Sequence, residues 1–527
     1  MYEAGAPGTG RREAPAISRK AAALCWIAIL AVDGASLAIF QLYGLSNLYG
    51  DGISHVEAAR RIFDSLTPGY AEIGRVWLPL AHLLAAPLAI NDTLWRTGLA
   101  GSLISAAAFA GTAWLVFWLS CAMGGSLSPG VLALSAFLLS PNLLYAATTP
   151  LTEPLAIFWA TLTVCALFRF QQTGGSVAGA GLAAFCGTLT RYDGWYLLPF
   201  AAAFVFFCRS RALRDRIGET LLFCLIAGAG PLLWLLHNAY RFHNPLDFYQ
   251  GPYSAKAIYA VQVATTGFRY PTDGSLWISA HYYIEDLKLI FGAWPLALAT
   301  AGFIAWVLDR RLRSRRSAAL LLLIPLLFYS QALAYGGVPI YVPALAPHTY
   351  YNLRYGLEMA PGLAVFTAFV LSSRLGKAGR TGVVVAACGL LALQAGAMLR
   401  FGPRGLATVQ EGILNTPCKS PAELDVIRFL RRHYEGETVL LASGEWPCIM
   451  PQLGIPFRNT LTEANQRYWR KLRFGASRYV GLIVVKRGDS VDELMRTYPG
   501  AFADFELASK DVLPHGSYVE IYRRTLR

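Results

Sequence analysis

Charged residues are scarce in this sequence. Only 15% of its 527 residues are charged, 55% are hydrophobic, and the mean hydropathy is +0.41. Soluble chains contain about 25% charged residues. The apolar residues occur in blocks of roughly 15–25, each about long enough to cross the hydrocarbon core of a bilayer. These values exclude a soluble multidomain enzyme, a fibre and a disordered chain, and they predict a polytopic α-helical membrane protein.

Several motifs of soluble enzymes are also missing. The sequence contains no H-E-x-x-H, no G-x-S-x-G and no P-loop. Its nine cysteines are never arranged as C-x-x-C, which argues against a zinc or redox centre. No internal repeat is evident, and this weakens the case for an inverted-repeat transporter.

The apolar blocks predict eleven transmembrane helices, at 21–43, 94–119, 129–147, 151–170, 176–190, 195–208, 217–237, 287–308, 317–335, 355–373 and 381–399. A further apolar stretch, 76–90, is short and contains Pro79, His82 and Pro87. If this stretch crossed the membrane, the first two basic clusters would face opposite sides. We therefore expect it to lie in the interface or to re-enter the membrane.

Basic residues orient the predicted spans. The net charge is +14, and most of it comes from four clusters: Arg11, Arg12, Arg19 and Lys20; Arg209, Arg211, Arg214 and Arg216; Arg310, Arg311, Arg313, Arg315 and Arg316; and Arg374, Lys377 and Arg380. Because cytoplasmic loops are rich in Lys and Arg, all four clusters should be cytoplasmic. This predicts a cytoplasmic tail at 1–20, a membrane domain at 21–400 with a first outer loop at 44–93, and an outer domain at 401–527. A bacterial inner membrane is the expected location.

The C-terminal segment, 401–527, has the composition of a small α/β domain. We expect helices at 422–434 and 490–498, the second capped by Asp489, and strands at 438–442, 479–486 and 518–522. Cys418 and Cys448 are the only cysteines beyond residue 400, and an oxidising outer compartment favours a bridge between them. Two unrelated thiols remain the alternative.

Two acidic residues lie where predicted spans meet the outer surface. Asp51 follows the first span in Tyr49-Gly-Asp-Gly-Ile-Ser-His55, where two glycines form a turn around the carboxylate. Glu153 lies in Thr152-Glu-Pro154, at the outer end of the fourth span. A carboxylate at such a boundary needs water, a cation or a partner. Alternatively, Asp51 is an ordinary acidic residue of a loop, and Glu153 is an acid in the first turn of a helix, where the helix dipole stabilises it.

Two arginines also lie where predicted spans meet the outer surface. Arg191 lies in Arg191-Tyr-Asp-Gly194 between two apolar spans, and it either binds an anion or pairs locally with Asp193. Arg354 precedes an otherwise neutral span. Its planar guanidinium suits a phosphate, whereas snorkelling to lipid headgroups is the alternative.

The order of these motifs resembles the GT-C superfamily of membrane glycosyltransferases, in particular the protein mannosyltransferase and aminoarabinose transferase type. The resemblance covers about 20–400 and rests on Asp51, Trp77-Leu-Pro-Leu-Ala-His82, Thr152-Glu-Pro154, Thr190-Arg-Tyr-Asp-Gly-Trp195 and Asn352-Leu-Arg-Tyr355. It implies transfer of a sugar from a polyprenyl-phosphate carrier to a protein, lipid or glycan on the outer face.

The resemblance also implies roles for individual residues. Asp51 corresponds to the catalytic acid of the first loop, and the expected mechanism is an inverting displacement with Asp51 as general base. The expected substrate-binding residues are Glu153, Arg191, Arg354, His55 and Tyr355.

The sequence departs from the family pattern in two places. Asp51 is followed by Gly52 rather than by a second acid, and the second outer loop carries one acid instead of a pair. No metal or other cofactor is therefore expected, and a metal-dependent enzyme would use Asp51 and Glu153. A flippase for a lipid-linked sugar and a non-catalytic scaffold remain as alternative functions. A flippase should show polar residues at the membrane midplane, and a scaffold predicts no convergence of carboxylates and arginines.

Overall fold

Long apolar helices dominate the structure, a computed structural model that describes residues 17–209, 211–309, 316–371, 376–512 and 518–525. Within these ranges six helical segments are long and apolar enough to cross a membrane: Arg19–Leu42, Leu99–Gly124, Glu153–Thr173, Leu213–Phe242, Ser317–Tyr335 and Ala378–Leu399. Each coincides with a predicted span. Most of the predicted tail at 1–20 lies outside the described residues, as do these members of the basic clusters: Arg11, Arg12, Arg310, Arg311, Arg313, Arg315 and Arg374.

Two bent helix pairs in the described ranges are each either a broken span or a re-entrant loop, and the candidate spans number eight if each pair counts as one span. The predicted span 129–147 consists of Leu127–Leu138 and Pro141–Ala147, which meet at 72°. The span predicted at 287–308 begins earlier, at Leu276, and bends by 117° at Gly292, whose φ is 81°. The segment 238–286, which lies between two predicted spans, contains the helices Asp247–Gln250 and Ala255–Thr266 and the first part of Leu276–Phe291. The count of eleven stays a prediction, since the helices Ala178–Thr188 and Asp193–Phe207 are short.

The α-helices, in chain order, are α1 Arg19–Leu42, α2 Gly50–Arg61, α3 Leu80–Ala89, α4 Asp92–Arg96, α5 Leu99–Gly124, α6 Leu127–Leu138, α7 Pro141–Ala147, α8 Glu153–Thr173, α9 Ala178–Thr188, α10 Asp193–Phe207, α11 Leu213–Phe242, α12 Asp247–Gln250, α13 Ala255–Thr266, α14 Leu276–Phe291, α15 Ala293–Leu308, α16 Ile324–Tyr335, α17 Ala360–Ala368, α18 Lys377–Leu399, α19 Ala407–Asn415, α20 Pro421–His433, α21 Ile449–Leu453, α22 Gln466–Leu472 and α23 Ser490–Thr497. Short 3-10 segments include Ser317–Leu323 and Leu353–Met359.

The segment predicted as the first outer loop contains two helices, α2 and α3, that are too short to cross a membrane. Helix α2 begins at Gly50, so Asp51 lies in a first helical turn and the predicted Gly-Asp-Gly turn is wrong. An acidic side chain is favourable there because it faces the positive end of the helix dipole. Helix α3 has ten residues and therefore spans about 15 Å, half the thickness of a hydrocarbon core. This short length favours the expectation that the stretch 76–90 does not cross the membrane.

Pro150 fixes the distance between α2 and the start of α8. A Cβ atom added at Gly52 would lie 3.0 Å from Pro150 Cγ, and one added at Gly101 would lie 2.5 Å from Pro150 Cβ. The absence of a side chain at both glycines lets the turn at 148–152 pack between α2 and α5. This packing brings the helix that carries Asp51 close to the helix that begins at Glu153.

The C-terminal domain contains a five-stranded sheet in the order β2-β1-β3-β5-β4. Its strands are β1 Val439–Leu440, β2 Thr460–Leu461, β3 Leu482–Lys486, β4 Phe505–Val512 and β5 Tyr518–Arg524. Strand β1 is parallel to β2 and β3, whereas β5 is antiparallel to β3 and β4. The predicted helices and strands of this segment are present, although β1 is shorter than predicted, and β2 and β4 were missed.

Local interactions in this domain agree with the sequence analysis. Asp489 accepts a hydrogen bond from the backbone N–H of Asp492 at 2.8 Å and caps α23 as predicted. Cys418 and Cys448 form a disulfide with a Cα–Cα distance of 5.4 Å, so the expected bridge is present.

Contacts join the C-terminal part of the chain to the helical part. In α19, the Thr408 hydroxyl donates to Asn142 Oδ1 at 2.8 Å, which places the start of the 401–527 segment against the membrane domain. The domain itself contacts the first loop through the ion pair of Arg458 with Asp64 (3.4 Å). It therefore sits on the same end of the molecule as α2.

Candidate active site

One cavity brings together all six residues expected at the site. It has a volume of about 460 Å³, and its lining includes Asp51, His55, Glu153, Arg191, Arg354 and Tyr355. These residues come from α2, the start of α8, the α9–α10 connection and the 3-10 segment Leu353–Met359. Carboxylates and arginines that are far apart in sequence thus converge, which the scaffold alternative did not predict.

Arg354 lies between two carboxylates. Its Nη2 contacts Asp51 Oδ2, and its Nε lies 3.1 Å from Glu153 Oε1. Arg354 is 7% exposed and Glu153 1% exposed. The alternative in which Arg354 snorkels to the lipid headgroups is therefore wrong, because the guanidinium is buried in the protein and forms ion pairs with acidic groups.

Arg191 extends this charged network. Its Nη1 donates to Glu153 Oε1 at 3.0 Å, and its Nε lies 2.9 Å from Asp193 Oδ2 and 3.2 Å from Glu358 Oε1. The local pair with Asp193 exists, but it is only one of three acidic contacts. Glu153 therefore bridges the two arginines at the wall of the cavity, and its role in substrate binding stays a prediction.

Asp51 differs from Glu153 in its access to solvent. Its side chain is 46% exposed within the cavity, although Arg354 contacts one of its oxygens. Burial acts to raise the pKa of Asp51, but the Arg354 guanidinium outweighs it and lowers that pKa below its usual value. Asp51 is consequently ionised at neutral pH, with its second oxygen available to a group in the cavity.

His55 and Tyr355 form parts of the cavity wall. His55 lies one helical turn after Asp51, its Nδ1 is 2.8 Å from His82 Nε2, and its ring centroid is 4.3 Å from that of Trp77. Tyr355 stacks on Tyr329, with ring centroids 5.0 Å apart. The Arg191 and Arg354 guanidinium carbons lie 5.3 and 5.4 Å from the centroid of the Tyr355 ring, a distance typical of cation–π contacts.

Sequence reasoning missed several lining or supporting residues. Tyr329 donates to Glu358 Oε1 at 2.6 Å and accepts from Arg191 Nη2 at 3.1 Å, so it orders the far end of the network. Lys256 lines the cavity, and its Nζ lies 5.1 Å from the Tyr249 ring centroid. Lys256 is the only lysine in 238–286, a signal that was available in the sequence but had no motif to mark it.

The charges at the centre of the cavity are unfavourable for a metal ion. In the described part of the chain, no group of three or more His, Cys, Asp or Glu side chains is arranged to hold one. The two acids named as ligands for a metal-dependent enzyme, Asp51 and Glu153, both contact Arg354. A divalent cation between them would meet this guanidinium, and like charges at that distance repel.

The fold is similar to that of ArnT from Cupriavidus metallidurans. With the ArnT structure bound to undecaprenyl phosphate, the TM-score is 0.59 at 14% identity over 96% of this chain and 98% of ArnT. With apo ArnT, the TM-score is 0.55 at 14% identity over 95% of this chain and 98% of ArnT. This likeness shows that the chain shares its fold with ArnT.

The archaeal oligosaccharyltransferase AglB from Archaeoglobus fulgidus, in complex with an inhibitory peptide and a dolichol-phosphate, gives a TM-score of 0.49. Its identity to this chain is 12%, over 94% of this chain and 74% of AglB. No protein-family model and no curated protein sequence matches the chain.

Proposed function

We propose that this membrane protein is a glycosyltransferase that moves a sugar from a polyprenyl-phosphate carrier to a protein, lipid or glycan acceptor. The observation that carries the proposal is the meeting of Asp51, Arg354 and Glu153 in one cavity. The ArnT structure with undecaprenyl phosphate, which shares the fold, supports a lipid-linked donor.

Asp51 acts as the general base in a single inverting displacement. Its free carboxylate oxygen takes the proton of an acceptor hydroxyl while that oxygen bonds to the anomeric carbon. The bond from the anomeric carbon to the phosphate oxygen breaks, and the carrier phosphate leaves. A phosphate is a stable anion, so this step needs little protonation of the leaving group, and one carboxylate is sufficient.

Lys256 and Arg354 hold the carrier phosphate. Arg191 and Arg354 already contact four carboxylates between them, whereas Lys256 has no ion-pair partner among the described residues. Phosphate binding requires net positive charge, which an unpaired ammonium at the cavity wall supplies. Arg354 then stabilises the charge that develops on the leaving oxygen. No metal takes part in this scheme.

The cavity faces the outer side of a bacterial inner membrane, with the N-terminus cytoplasmic and the 401–527 domain periplasmic or extracellular. The positive-inside rule supports this orientation. The contact of Arg458 with Asp64 places the C-terminal domain at the cavity end of the molecule, where an acceptor would arrive.

The test uses purified full-length protein in detergent with radiolabelled undecaprenyl-phosphate sugars and a membrane extract as acceptor source. We expect transfer of label that Asp51→Asn lowers by about 10²–10⁴-fold. Asp92→Asn, at an exposed aspartate, should leave transfer unchanged. Undecaprenyl phosphate alone should raise the melting temperature of both variants. A protein that neither binds undecaprenyl phosphate nor consumes any such donor would contradict the proposal.

A further inference from the structure

Two histidines from different helices form a hydrogen bond at the edge of the cavity. His55 Nδ1 lies 2.8 Å from His82 Nε2. The cavity is lined by His55, whereas His82 is 1% exposed. The second ring nitrogen of His82, Nδ1, is enclosed and has no hydrogen-bond partner among the described residues. This unpartnered atom determines where the shared proton resides.

Either His55 or His82 can be the donor of this hydrogen bond. If His55 donated from Nδ1, neutral His82 would carry its only proton on Nδ1, as a buried N–H without an acceptor. If His82 donates from Nε2, its Nδ1 carries a lone pair instead. Buried N–H groups without a partner are rarer than incompletely satisfied acceptors, so the second arrangement is favoured.

We infer that His82 is a positioning residue, which donates from Nε2 to His55 Nδ1 and fixes His55 as a hydrogen-bond donor, through Nε2–H, to an oxygen in the cavity. A neutral imidazole has one donor nitrogen and one acceptor nitrogen, so an accepting Nδ1 leaves the proton on Nε2. The inference deepens the proposed function, on which it rests, because the oxygen would belong to the phosphate or the sugar of the donor.

The surroundings of His55 agree with a neutral donor. Burial lowers the pKa of His55 to about 4, with Arg354 and Arg191 acting in the same direction and Asp51 and Glu153 opposing them. An imidazolium is therefore not available at neutral pH, and His55 does not serve as a general acid. His55 follows Asp51 by four residues, so their side chains lie on one face of α2. Helix α2 thus carries an acceptor, the Asp51 carboxylate, and a donor, His55 Nε2–H, on the same face.

The decisive measurement is the protonation state of each ring nitrogen. The full-length protein, labelled with 15N-histidine, is studied in detergent at pH 7 by nitrogen NMR, and His55→Phe identifies the His55 signals. We expect a protonated Nε2 and an unprotonated Nδ1. A His55 ring protonated on Nδ1 would overturn the inference. No sugar donor is needed, so this result is independent of whether glycosyl transfer is demonstrated.

A pair of substitutions at residue 82 tests the role of the donor. His82→Phe keeps a ring but removes the N–H, and His55 should then lose its single tautomer and show a mixture of both. His82→Gln keeps an N–H donor and should retain the Nε2–H form, and the exposed His281→Phe serves as the matched control. An unchanged single tautomer in folded His82→Phe would show that His82 does not fix the ring. If His82→Phe fails to fold, the wild-type spectrum alone decides.

Discussion

The guanidinium of Arg354 is ion-paired with the carboxylate of Asp51, although 303 residues separate them in the chain. The same guanidinium reaches Glu153 through Nε at 3.1 Å. The partners differ in access, since Asp51 is half-exposed in the cavity and Glu153 is buried. One arginine therefore joins an accessible carboxylate of the cavity to a buried one.

Asp51→Asn tests the general base. The amide keeps the size of the side chain but cannot accept the proton, and general-base catalysis contributes about 10²–10⁴-fold. We expect the turnover number to fall by about that factor, while the affinity for undecaprenyl phosphate stays close to wild type. Transfer at a near-normal rate by purified Asp51→Asn would remove Asp51 from the mechanism.

The pH dependence of transfer should depend on Arg354. Burial raises the pKa of Asp51, and Arg354 overcomes this and lowers it. In Arg354→Gln this contribution is lost, and only the weaker effects of His55 and Arg191 still lower the pKa of Asp51. That pKa therefore rises, and the carboxylate is protonated at a higher pH. The acid limb of kcat/KM should move to higher pH, whereas Arg354→Lys should keep it near its original position. An unmoved limb in Arg354→Gln would mean that another group sets it.

Lys256 provides a test of phosphate binding that leaves the buried network intact. Hydrogen bonds to charged groups contribute about 1.5–3 kcal/mol, so Lys256→Ala should weaken binding of undecaprenyl phosphate by about tenfold or more. Lys256→Arg should retain most of the affinity. The matched control is Lys288→Ala, because Lys288 pairs with Glu285 at 2.6 Å and does not line the cavity. Equal affinities of Lys256→Ala and wild type in a titration would contradict this contact.

The disulfide should stabilise the C-terminal domain. It joins cysteines 30 residues apart, and closing a loop of this size typically stabilises a protein by about 2–4 kcal/mol. We expect Cys418→Ser with Cys448→Ser to lower the melting temperature of the full chain, and reductant to do the same to wild type. The seven other cysteines provide the control, since reductant should leave the double variant unchanged.

The orientation in the membrane is accessible to labelling. In a background without the seven free cysteines, a cysteine is introduced by Ala508→Cys on strand β4 or by Ala212→Cys near the second basic cluster. A membrane-impermeant maleimide applied to intact cells with an opened outer membrane should label the first and not the second. The reverse pattern would invert the predicted topology.

The sequence predicts the membrane class from hydropathy, and from motifs it predicts a set of residues that meet in one cavity. Six long apolar helices follow directly from hydropathy, and the motifs around Asp51, Glu153 and Arg354 are recognisable from their order along the chain. The bend at Gly292 was not predictable, since an apolar run has the same composition whether it is straight or broken. The glycines that flank Asp51 favour a turn, whereas this segment is helical and Gly52 packs against Pro150.

Contacts between residues that are far apart in the chain could not be predicted from the sequence. His82 was treated as part of a motif, but its partnership with His55 depends on how α2 and α3 pack. Glu358 and Tyr329 lie within apolar runs, and nothing in their neighbours indicates that they support Arg191. Lys256 belongs to a segment without a recognisable motif, so only its place in the lining of the cavity identifies it.

Glu411 contacts residues beside Asp51 and Arg354 but follows both in the chain, so these contacts form only after Glu411 has been synthesised. Its Oε2 accepts from the Leu353 backbone N–H at 3.1 Å and from the Tyr49 hydroxyl at 3.0 Å, so it ties together the residues beside Arg354 and Asp51. Glu411 follows the last predicted span, and ribosomes add about 5–20 residues per second. Asp51 therefore emerges tens of seconds before Glu411 does. A chain released before α19 would have every predicted membrane span but lack the residue that joins the two halves of its site.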